Sequence, residues 1–316
     1  MIDWKQGGRF GRFTIINLLA NIVVILWGGF VSASGSGDGC GASWPLCADA
    51  AAREATQLET FIELFHRGTS GIVLIMAVVL FVWARRLYPS GHHVRWAAGG
   101  TMIFMLGEAA IGALIVLFGL VAENESLARA FTQPLHLVNT YLLLAFLGIT
   151  VLYAYGMPPI DRHQRMTRWL LIGLSGLLLL SAFGTLASLA STIFPSDTFV
   201  EGVRKDFSAE SHYLVRLRIW HPIIATALGG YLWWLVRQVP QAEQIGTWII
   251  GMFALQYAFG ILNAVLLTPI WLQLTHLLLS DLIWLGLIWL SAIALSSTAI
   301  LWTTDDGRRT TFASTD

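Results

Sequence analysis

The sequence predicts an all-α integral membrane protein whose eight transmembrane helices form two pseudo-symmetric four-helix bundles. Composition, eight apolar segments and an internal repeat predict this fold. Of the 316 residues, 56% are hydrophobic and 12% are charged, and the mean hydropathy is +0.66. Because a soluble domain has about 25% charged residues, the predicted solvent is lipid. The formal net charge of zero argues against nucleic acid as a partner, since nucleic acid requires a basic face.

Eight apolar segments are each long enough to cross about 30 Å of hydrocarbon as a helix. Short polar connections rich in Gly, Pro, Ser and charged residues separate them. The fourteen Trp are typical of membrane-interface belts, although several could equally line a cofactor cavity. The segments lie at residues 13–31, 68–87, 96–120, 135–155, 168–190, 219–237, 245–268 and 272–300.

The distribution of Lys and Arg predicts the orientation. With the N-terminus inside, twelve of the 19 basic residues fall on the cytoplasmic side, including Lys5, Arg162, Arg308 and Arg309. Both termini are therefore predicted to be cytoplasmic. The first segment has a basic start like a signal peptide, but its apolar run is long for one, so we expect an uncleaved helix. No Arg-rich organellar leader precedes it, which favours a prokaryotic plasma membrane.

An internal repeat relates the first four segments to the last four. The offsets between matching residues shrink smoothly, as expected if the second half has shorter connections. The simplest interpretation is two four-helix halves, residues 1–160 and 161–316, related by an axis along the membrane normal. The matches are Gly29 with Gly184 and His66 with His221 (offset 155), Glu108-Ala-Ala-Ile-Gly112 with Gln256-Tyr-Ala-Phe-Gly260 (148), and His136 with His276 (140).

Four of the eight histidines lie in the first turn or so of the even-numbered segments, at similar depth below the outer surface. They are His66, His136, His221 and His276. A single membrane histidine often bridges helices by a hydrogen bond. Four at matched depth, two in each repeat, indicate a metal or haem site instead. The other four, His92, His93, His163 and His212, are predicted to be solvated loop residues.

Haem is favoured over a di-iron carboxylate centre, which in a helix bundle requires two Glu-x-x-His pairs and two further Glu. Glu63-Leu-Phe-His66 supplies one such pair, but the equivalent segment is Arg218-Ile-Trp-His221. A cation repels a bare metal centre, whereas it can pair with a haem propionate. Arg67 and Arg218 are therefore predicted to contact propionates, and Arg216 could do so as well.

The acidic residues distinguish the two halves. Glu63 lies one helical turn before His66, on the same face, and no acid accompanies His221. It is either an acid/base or charge-stabilising group beside a haem, or a carboxylate at the outer interface that is solvated or paired with Arg67. One acid beside two similar sites suggests that one haem is modified while the other carries electrons. The membrane acids Glu108 and Asp281 either relay protons or bridge helices.

The two cysteines, Cys40 and Cys47, lie in the first outer loop. On the oxidising side of the membrane we expect a disulfide, and closing this loop is worth roughly 2–3 kcal/mol. The bond is either structural or a redox-active pair that exchanges electrons with an outside thiol protein. Zinc is not expected, because two Cys without a nearby His leave a tetrahedral site incomplete.

Several motifs together resemble the haem A synthase family over essentially the whole chain. The run Gly28-Gly-Phe-Val-Ser-Ala-Ser-Gly-Ser-Gly37, followed by Cys40 through Trp44-Pro-Leu-Cys47, is similar to the family's first outer loop. Glu63-x-x-His66-Arg67 resembles its helix-2 motif, and His136, His221-Pro222 and His276 fall where its other ligands are expected. Two features depart from the pattern. Ser32 replaces an expected basic residue, and the second outer loop, about 191–218, has no cysteine.

The resemblance implies an oxidoreductase that oxidises the C8 methyl group of haem O to a formyl group, giving haem A for cytochrome oxidase. It implies that His66 and His136 bracket the substrate haem, that Glu63 assists at the methyl group, and that His221 and His276 bind a resident haem b. The implied partners are haem O synthase, cytochrome oxidase or its assembly factors, an unidentified electron donor and membrane lipid. A homo-oligomer is compatible with the sequence.

Two other functions stay open at this point. One is a di-haem b-type membrane electron carrier without haem-modifying activity, which would hold two permanent haem b groups. The other is a haem transporter or chaperone, for which Glu63 would be incidental.

Overall fold

The computed structural model describes residues 7–47, 56–161 and 165–296. Within these residues the regular structure is helical apart from one isolated bridge between Ile160 and Ser296. The α-helices are α1 (Gly8–Ala33), α2 (Gln57–Leu87), α3 (His93–Leu117), α4 (Leu127–Ala154), α5 (Met166–Ile193), α6 (Phe199–Phe207), α7 (Tyr213–Leu217), α8 (Trp220–Val236), α9 (Glu243–Val265) and α10 (Ile270–Ala294).

Eight stretches of the described chain are long and apolar enough to cross a membrane, which confirms the predicted all-α fold with eight spans. α7 and α8 together form the sixth span, and each other span is one long helix. Each predicted segment overlaps one span. Residues 297–300 of the last predicted segment lie outside the described residues, as do Lys5, Arg162, His163, Arg308 and Arg309.

Several helices begin before their apolar runs because their polar first turns are capped. Thr56 and Glu59 form a reciprocal capping box at the start of α2, and the Ser126 side chain accepts a hydrogen bond from Arg129 N at the start of α4. Hydropathy misses such turns because charged and polar residues interrupt their apolar residues. The predicted first-turn position is therefore wrong for His66 and His136, which lie in the third turn of α2 and α4.

The second outer loop, about residues 191–218, contains α6 and α7. Thr198 caps α6, since its Oγ1 accepts a hydrogen bond from Glu201 N at 3.2 Å. One face of α6 is apolar and exposed, as is typical of helices that lie in a membrane interface. Its residues are Phe199, Val200, Val203 and Phe207.

The helices pack in two groups that share a central contact. α1 contacts α2 and α4, and α3 contacts α2 and α4; α5 and α9 each contact both α8 and α10. The groups meet where α10 contacts α1 and α4, and where α5 contacts α4. More than half of the residues in the apolar windows of α4 and α10 are buried, so these helices form the centre.

Aromatic packing joins the two central helices. The Trp284 ring of α10 stacks on the Tyr141 ring of α4 with centroids 5.3 Å apart, and Trp284 Nε1 donates a hydrogen bond to Tyr141 O at 2.7 Å. The chain between α4 and α5 also contacts the end of α10, where Asp161 N donates to Leu295 O at 2.8 Å. The pseudo-symmetry and the division after residue 160 stay predictions.

Candidate functional site

Each of the four membrane histidines lies against a glycine of a neighbouring helix. A Cβ built on Gly28, Gly184 or Gly260 would lie 2.9, 3.0 or 3.1 Å from Cε1 of His66, His221 or His276. A Cβ on Gly112 would lie 4.0 Å from Cε1 of His136. Without side chains at these positions, the imidazole edges approach the neighbouring backbone closely.

This contact refines one match of the predicted repeat. The glycine that contacts His66 is Gly28, so Gly28 is the counterpart of Gly184 in this respect. Gly29, which the sequence comparison matched with Gly184, instead faces Leu274 and Leu277 of α10. Gly28 and Gly29 are adjacent in the sequence, and only the structure shows which helix face each of them occupies.

The histidines of the last four spans form a close pair. The ring centroids of His221 and His276 are 6.2 Å apart, and their planes are inclined at 68°. Two imidazoles on opposite sides of one metal ion, each at about 2 Å, would have centroids separated by about 6 Å. The pair therefore has the spacing that axial ligation of one haem iron requires.

The histidines of the first four spans also approach each other. His66 and His136 lie close enough for a direct electrostatic interaction, and both rings are half-buried. The structure thus places His66 near His136 and His221 near His276. Their ligation of iron stays a prediction.

The Nδ1 atoms of these rings face the protein. His221 Nδ1 lies 3.2 Å from Leu180 O, and His136 Nδ1 lies 3.4 Å from Glu108 Oε2. The Nδ1 atoms of His66, His136 and His276 are buried without a hydrogen-bond partner among the described residues, and the Glu108 contact of His136 is longer than a hydrogen bond. Metal-bound histidines usually donate one ring N–H to a carboxylate or carbonyl and bind the metal through the other nitrogen. Nε2 is therefore the nitrogen best placed to bind iron.

Two histidines per site do not complete the coordination of a bare metal ion. Among the described residues, no group of three or more His, Cys, Asp or Glu side chains is placed to hold a metal. A haem iron takes its other four ligands from the porphyrin, so it needs two axial side chains at most. The donor sets fit haem, and they do not fit the di-iron alternative.

Glu63 is buried and has partners at both oxygens. Its side chain is 3% exposed; Oε2 accepts a hydrogen bond from Cys40 N at 2.7 Å, and Oε1 accepts one from Arg67 Nη2 at 2.5 Å. This ion pair matches the second of the two roles considered for Glu63. A role in acid/base chemistry beside His66 stays a prediction.

The first outer loop is closed by a Cys40–Cys47 disulfide, as predicted, with the two Cα atoms 4.6 Å apart. Contacts to α2 hold the loop beside Glu63. Arg67 Nη1 donates to Ser43 O at 2.6 Å, and Thr60 Oγ1 donates to Gly39 O at 2.8 Å. The disulfide is thus part of a packed cover at the outer end of α2.

The arginines predicted to contact propionates already have protein partners. Arg67 contacts Glu63 and Ser43, and Arg218 Nε donates to Asp206 Oδ1 at 2.7 Å. Burial raises the pKa of the Asp206 carboxyl, although the hydrogen bond and charge of Arg218 oppose that rise. Propionate contacts by Arg67 and Arg218 stay predictions.

Two of the loop histidines cap helices. His92 Nδ1 accepts a hydrogen bond from Val94 N at the start of α3, and His212 Nδ1 accepts one from Leu214 N at the start of α7. Burial, together with the charge of neighbouring His93, lowers the pKa of His92.

The two membrane acids have different surroundings. Glu108 Oε1 of α3 accepts hydrogen bonds from Asn139 Nδ2 at 2.5 Å and Thr140 Oγ1 at 3.1 Å, so Glu108 bridges α3 and α4. Asp281 is fully buried in α10, and neither of its oxygens has a hydrogen-bond partner among the described residues.

Sequence reasoning missed Asn139 and Thr140. They are adjacent polar residues three and four positions after His136 in an otherwise apolar helix, and that spacing places them on the face of the histidine.

A family model described as "COX15-CtaA: Cytochrome oxidase assembly protein" matches residues 11–288 of the chain. Proteins of two Thermus thermophilus strains named protoheme IX farnesyltransferase are 39% identical to it over 270 residues, which is 83% of this chain and 44% of theirs. The chain thus spans less than half the length of these relatives.

Two further relatives named heme A synthase are similar over a shorter region. The protein of Symbiobacterium thermophilum is 35% identical over 104 residues, 33% of this chain and 34% of its own length. The protein of Alkalihalophilus pseudofirmus is 33% identical over 111 residues, 35% of this chain and 37% of its own length.

Proposed function

Because the chain belongs to the COX15-CtaA family of cytochrome oxidase assembly proteins, we propose that it acts as a haem A synthase. In this proposal it oxidises the C8 methyl group of haem O to a formyl group in successive steps. The observation that carries the proposal is the arrangement of the four membrane histidines. They form two pairs, and each histidine lies beside a glycine. The buried Glu63 lies one helical turn before His66, and the aligned position before His221 is an arginine.

The two histidine pairs have separate roles in this proposal. His66 and His136 bind the iron of the substrate haem O, and His221 and His276 bind a resident haem b. When bound, haem b supplies one-electron redox chemistry. The 6.2 Å separation of the His221 and His276 rings supports two axial ligands on one iron. Glu63 supports a reactive site at the first pair, because the aligned position before His221 is Arg218.

Glu63 acts on the substrate from a fixed position. It lies one turn before His66 on the same face of α2, and Cys40 N–H and Arg67 hold its two oxygens. A preorganised negative charge there stabilises positive charge that develops at the carbon undergoing oxidation. The disulfide loop and α2 together exclude water around this carboxyl group.

The partners follow from the substrate chemistry. The Thermus thermophilus relative is named protoheme IX farnesyltransferase, an enzyme that would attach a farnesyl group to haem. We propose that such an enzyme supplies haem O, and that the product passes to cytochrome oxidase or its assembly factors. The farnesyl tail lies between helices or in lipid. The chain lies in a prokaryotic plasma membrane with both termini in the cytoplasm.

Haem extraction from cells that make haem O tests the proposal. Cells with the intact chain should contain haem A, detected by its mass and visible spectrum. Cells without the chain, or with His66→Ala and His136→Ala, should contain haem O but no haem A. Protohaem as the only pigment of purified chain, with unchanged haem O in the cells, would instead support the di-haem electron carrier.

A further inference from the structure

The carboxyl group of Glu108 is held beside one of the four histidines. Oε1 accepts hydrogen bonds from Asn139 Nδ2 and Thr140 Oγ1, which leaves Oε2 facing His136 Nδ1 at 3.4 Å. That distance slightly exceeds the usual range of about 2.7–3.2 Å, and a small rotation of the ring would close it. The Nδ1 atom is buried and has no hydrogen-bond partner among the described residues, and Glu108 Oε2 is the carboxylate oxygen that faces it.

Gly107 of α3 leaves space for the Asn139 side chain beside Glu108. A Cβ on Gly107 would lie 2.5 Å from Asn139 Oδ1, so glycine there is what allows the Asn139 side chain to reach α3. Asn139 Nδ2 also donates to Phe104 O at 2.8 Å. Asn139 and Thr140 thus fix the orientation of the Glu108 carboxyl group, and Gly107 provides the space for Asn139.

The other pair lacks this arrangement. The residue aligned with Glu108 is Gln256, whose Nε2 donates to His276 O at 3.0 Å. Its Oε1 and His276 Nδ1 are both buried without partners among the described residues. The positions aligned with Asn139 and Gly107 are Leu279 and Leu255, so the amide that orients Glu108 has no counterpart here, whereas Ser280 keeps the hydroxyl group of Thr140.

Glu108 and Gln256 differ in how strongly their side-chain oxygens accept a hydrogen bond. A carboxylate accepts a hydrogen bond roughly twice as strongly as a neutral amide oxygen. A histidine that donates its second N–H to a carboxylate becomes a more basic ligand of its metal. A more basic axial ligand favours the oxidised form of the iron and lowers its reduction potential.

We propose that Glu108 is a positioning residue that accepts a hydrogen bond from His136 Nδ1 and thereby lowers the reduction potential of the iron bound by His66 and His136 below that of the iron bound by His221 and His276. The potential difference rests on haem binding by both histidine pairs, which is part of the proposed function. Its purpose rests on the proposed function, because electrons would then flow from the substrate haem towards haem b, the direction in which oxidation of a methyl group releases them.

Redox titration of single-pair proteins tests this inference. His221→Ala with His276→Ala leaves the first pair, and His66→Ala with His136→Ala leaves the second; each protein is purified and loaded with protohaem. In the protein that keeps the first pair, Glu108→Gln should shift the midpoint potential upward, and Glu108→Asp should shift it upward by a smaller amount. In the protein that keeps the second pair, Gln256→Glu should shift the midpoint potential downward. Ser291→Ala, a buried hydroxyl change remote from both pairs, is the control.

A second readout separates tuning of the iron from structural damage. The low-spin ferric EPR signal of the first pair should change with Glu108→Gln while the haem-to-protein ratio stays constant. An unchanged potential in haem-loaded Glu108→Gln would overturn the inference. If that variant fails to fold or to retain haem, Gln256→Glu decides, and an unchanged potential there overturns the inference equally. Haem A formation is assayed separately, so shifted potentials without haem A would reject the proposed function alone.

Discussion

At the scale of single residues, Glu63 combines two tasks in one carboxyl group. It is almost fully buried, and a buried carboxylate without partners would be strongly destabilising. The Cys40 N–H and the Arg67 guanidinium offset this desolvation with charge-assisted hydrogen bonds. The same contacts attach the disulfide loop to α2, so a substitution of Glu63 tests both the chemistry and the loop.

Glu63→Gln should reduce haem A formation by about 10²–10⁴-fold, the usual contribution of an acid/base group, with haem O accumulating. The amide keeps the size of the side chain and can still accept the hydrogen bond from Cys40 N–H, but it removes the negative charge. Haem extraction and mass spectrometry measure the ratio of haem A to haem O.

Glu59→Gln is the matched control for that substitution. Glu59 lies one turn earlier on α2 and belongs to the capping box, which an amide can preserve. We expect the control to keep normal haem A formation. Normal haem A formation by Glu63→Gln would show that the carboxylate has only a structural role.

At the scale of elements, the recurring unit is a glycine of one helix against a histidine of another. Without hydrophobic driving force in lipid, small residues at a crossing let helices approach and pack. Here the approach brings backbone against an imidazole edge, which restricts the ring. The contact is tight for Gly28, Gly184 and Gly260 and loose for Gly112.

Alanine substitutions of these glycines should have graded effects. Gly28→Ala, Gly184→Ala and Gly260→Ala place a methyl group 2.9–3.1 Å from Cε1 of a histidine, so they should displace the ring and reduce bound haem. Gly112→Ala, with 4.0 Å available, should retain haem at the wild-type level. The haem-to-protein ratio from visible spectra measures the series, and equal loss in all four variants would contradict the role of the contact.

The α6 helix should lie in the outer membrane interface, with its apolar face towards lipid. Because the cysteines of the described chain form a disulfide, an introduced cysteine can carry a single spin label. A label at Phe207→Cys should be relaxed mainly by oxygen, which partitions into lipid. A label at Glu210→Cys, an exposed residue just beyond α6, should be relaxed mainly by a water-soluble nickel complex. Preferential nickel relaxation at residue 207 would place α6 in water.

At the scale of the whole molecule, α4 and α10 bring the two histidine pairs together. Each helix carries one histidine of a pair, and the two helices contact each other through Tyr141 and Trp284. The pairs therefore belong to one continuous core, and in the proposed function this core would connect the two haem groups within one chain.

The orientation of the chain predicts which loops are accessible from outside. A membrane-impermeant maleimide should label Glu125→Cys, between α3 and α4, in intact cells. It should label Gly91→Cys, between α2 and α3, only after the membrane is permeabilised. The opposite pattern would invert the predicted topology and place the disulfide loop in the reducing cytoplasm.

Much of this architecture could be predicted from local features of the sequence. Membrane spans can be predicted from hydropathy because backbone N–H and C=O groups in lipid cannot bond to water. They must form hydrogen bonds with each other, as they do in a helix. The disulfide could be predicted from two cysteines seven residues apart on the side predicted to be oxidising. The early starts of α2 and α4 and the existence of α6 were missed, because polar capped turns and short amphipathic helices do not produce long apolar runs.

The sequence by itself determined the eight-span helical fold, the four membrane histidines and the cysteine pair. These properties depend on residue type and spacing along one chain. Only the tertiary structure decided that Gly28 rather than Gly29 faces His66, that Glu63 is held by Cys40 and Arg67, and that Asn139 and Thr140 fix Glu108 beside His136. The physical reason is that such contacts depend on how neighbouring helices are rotated and translated against each other, and no single-helix periodicity specifies that.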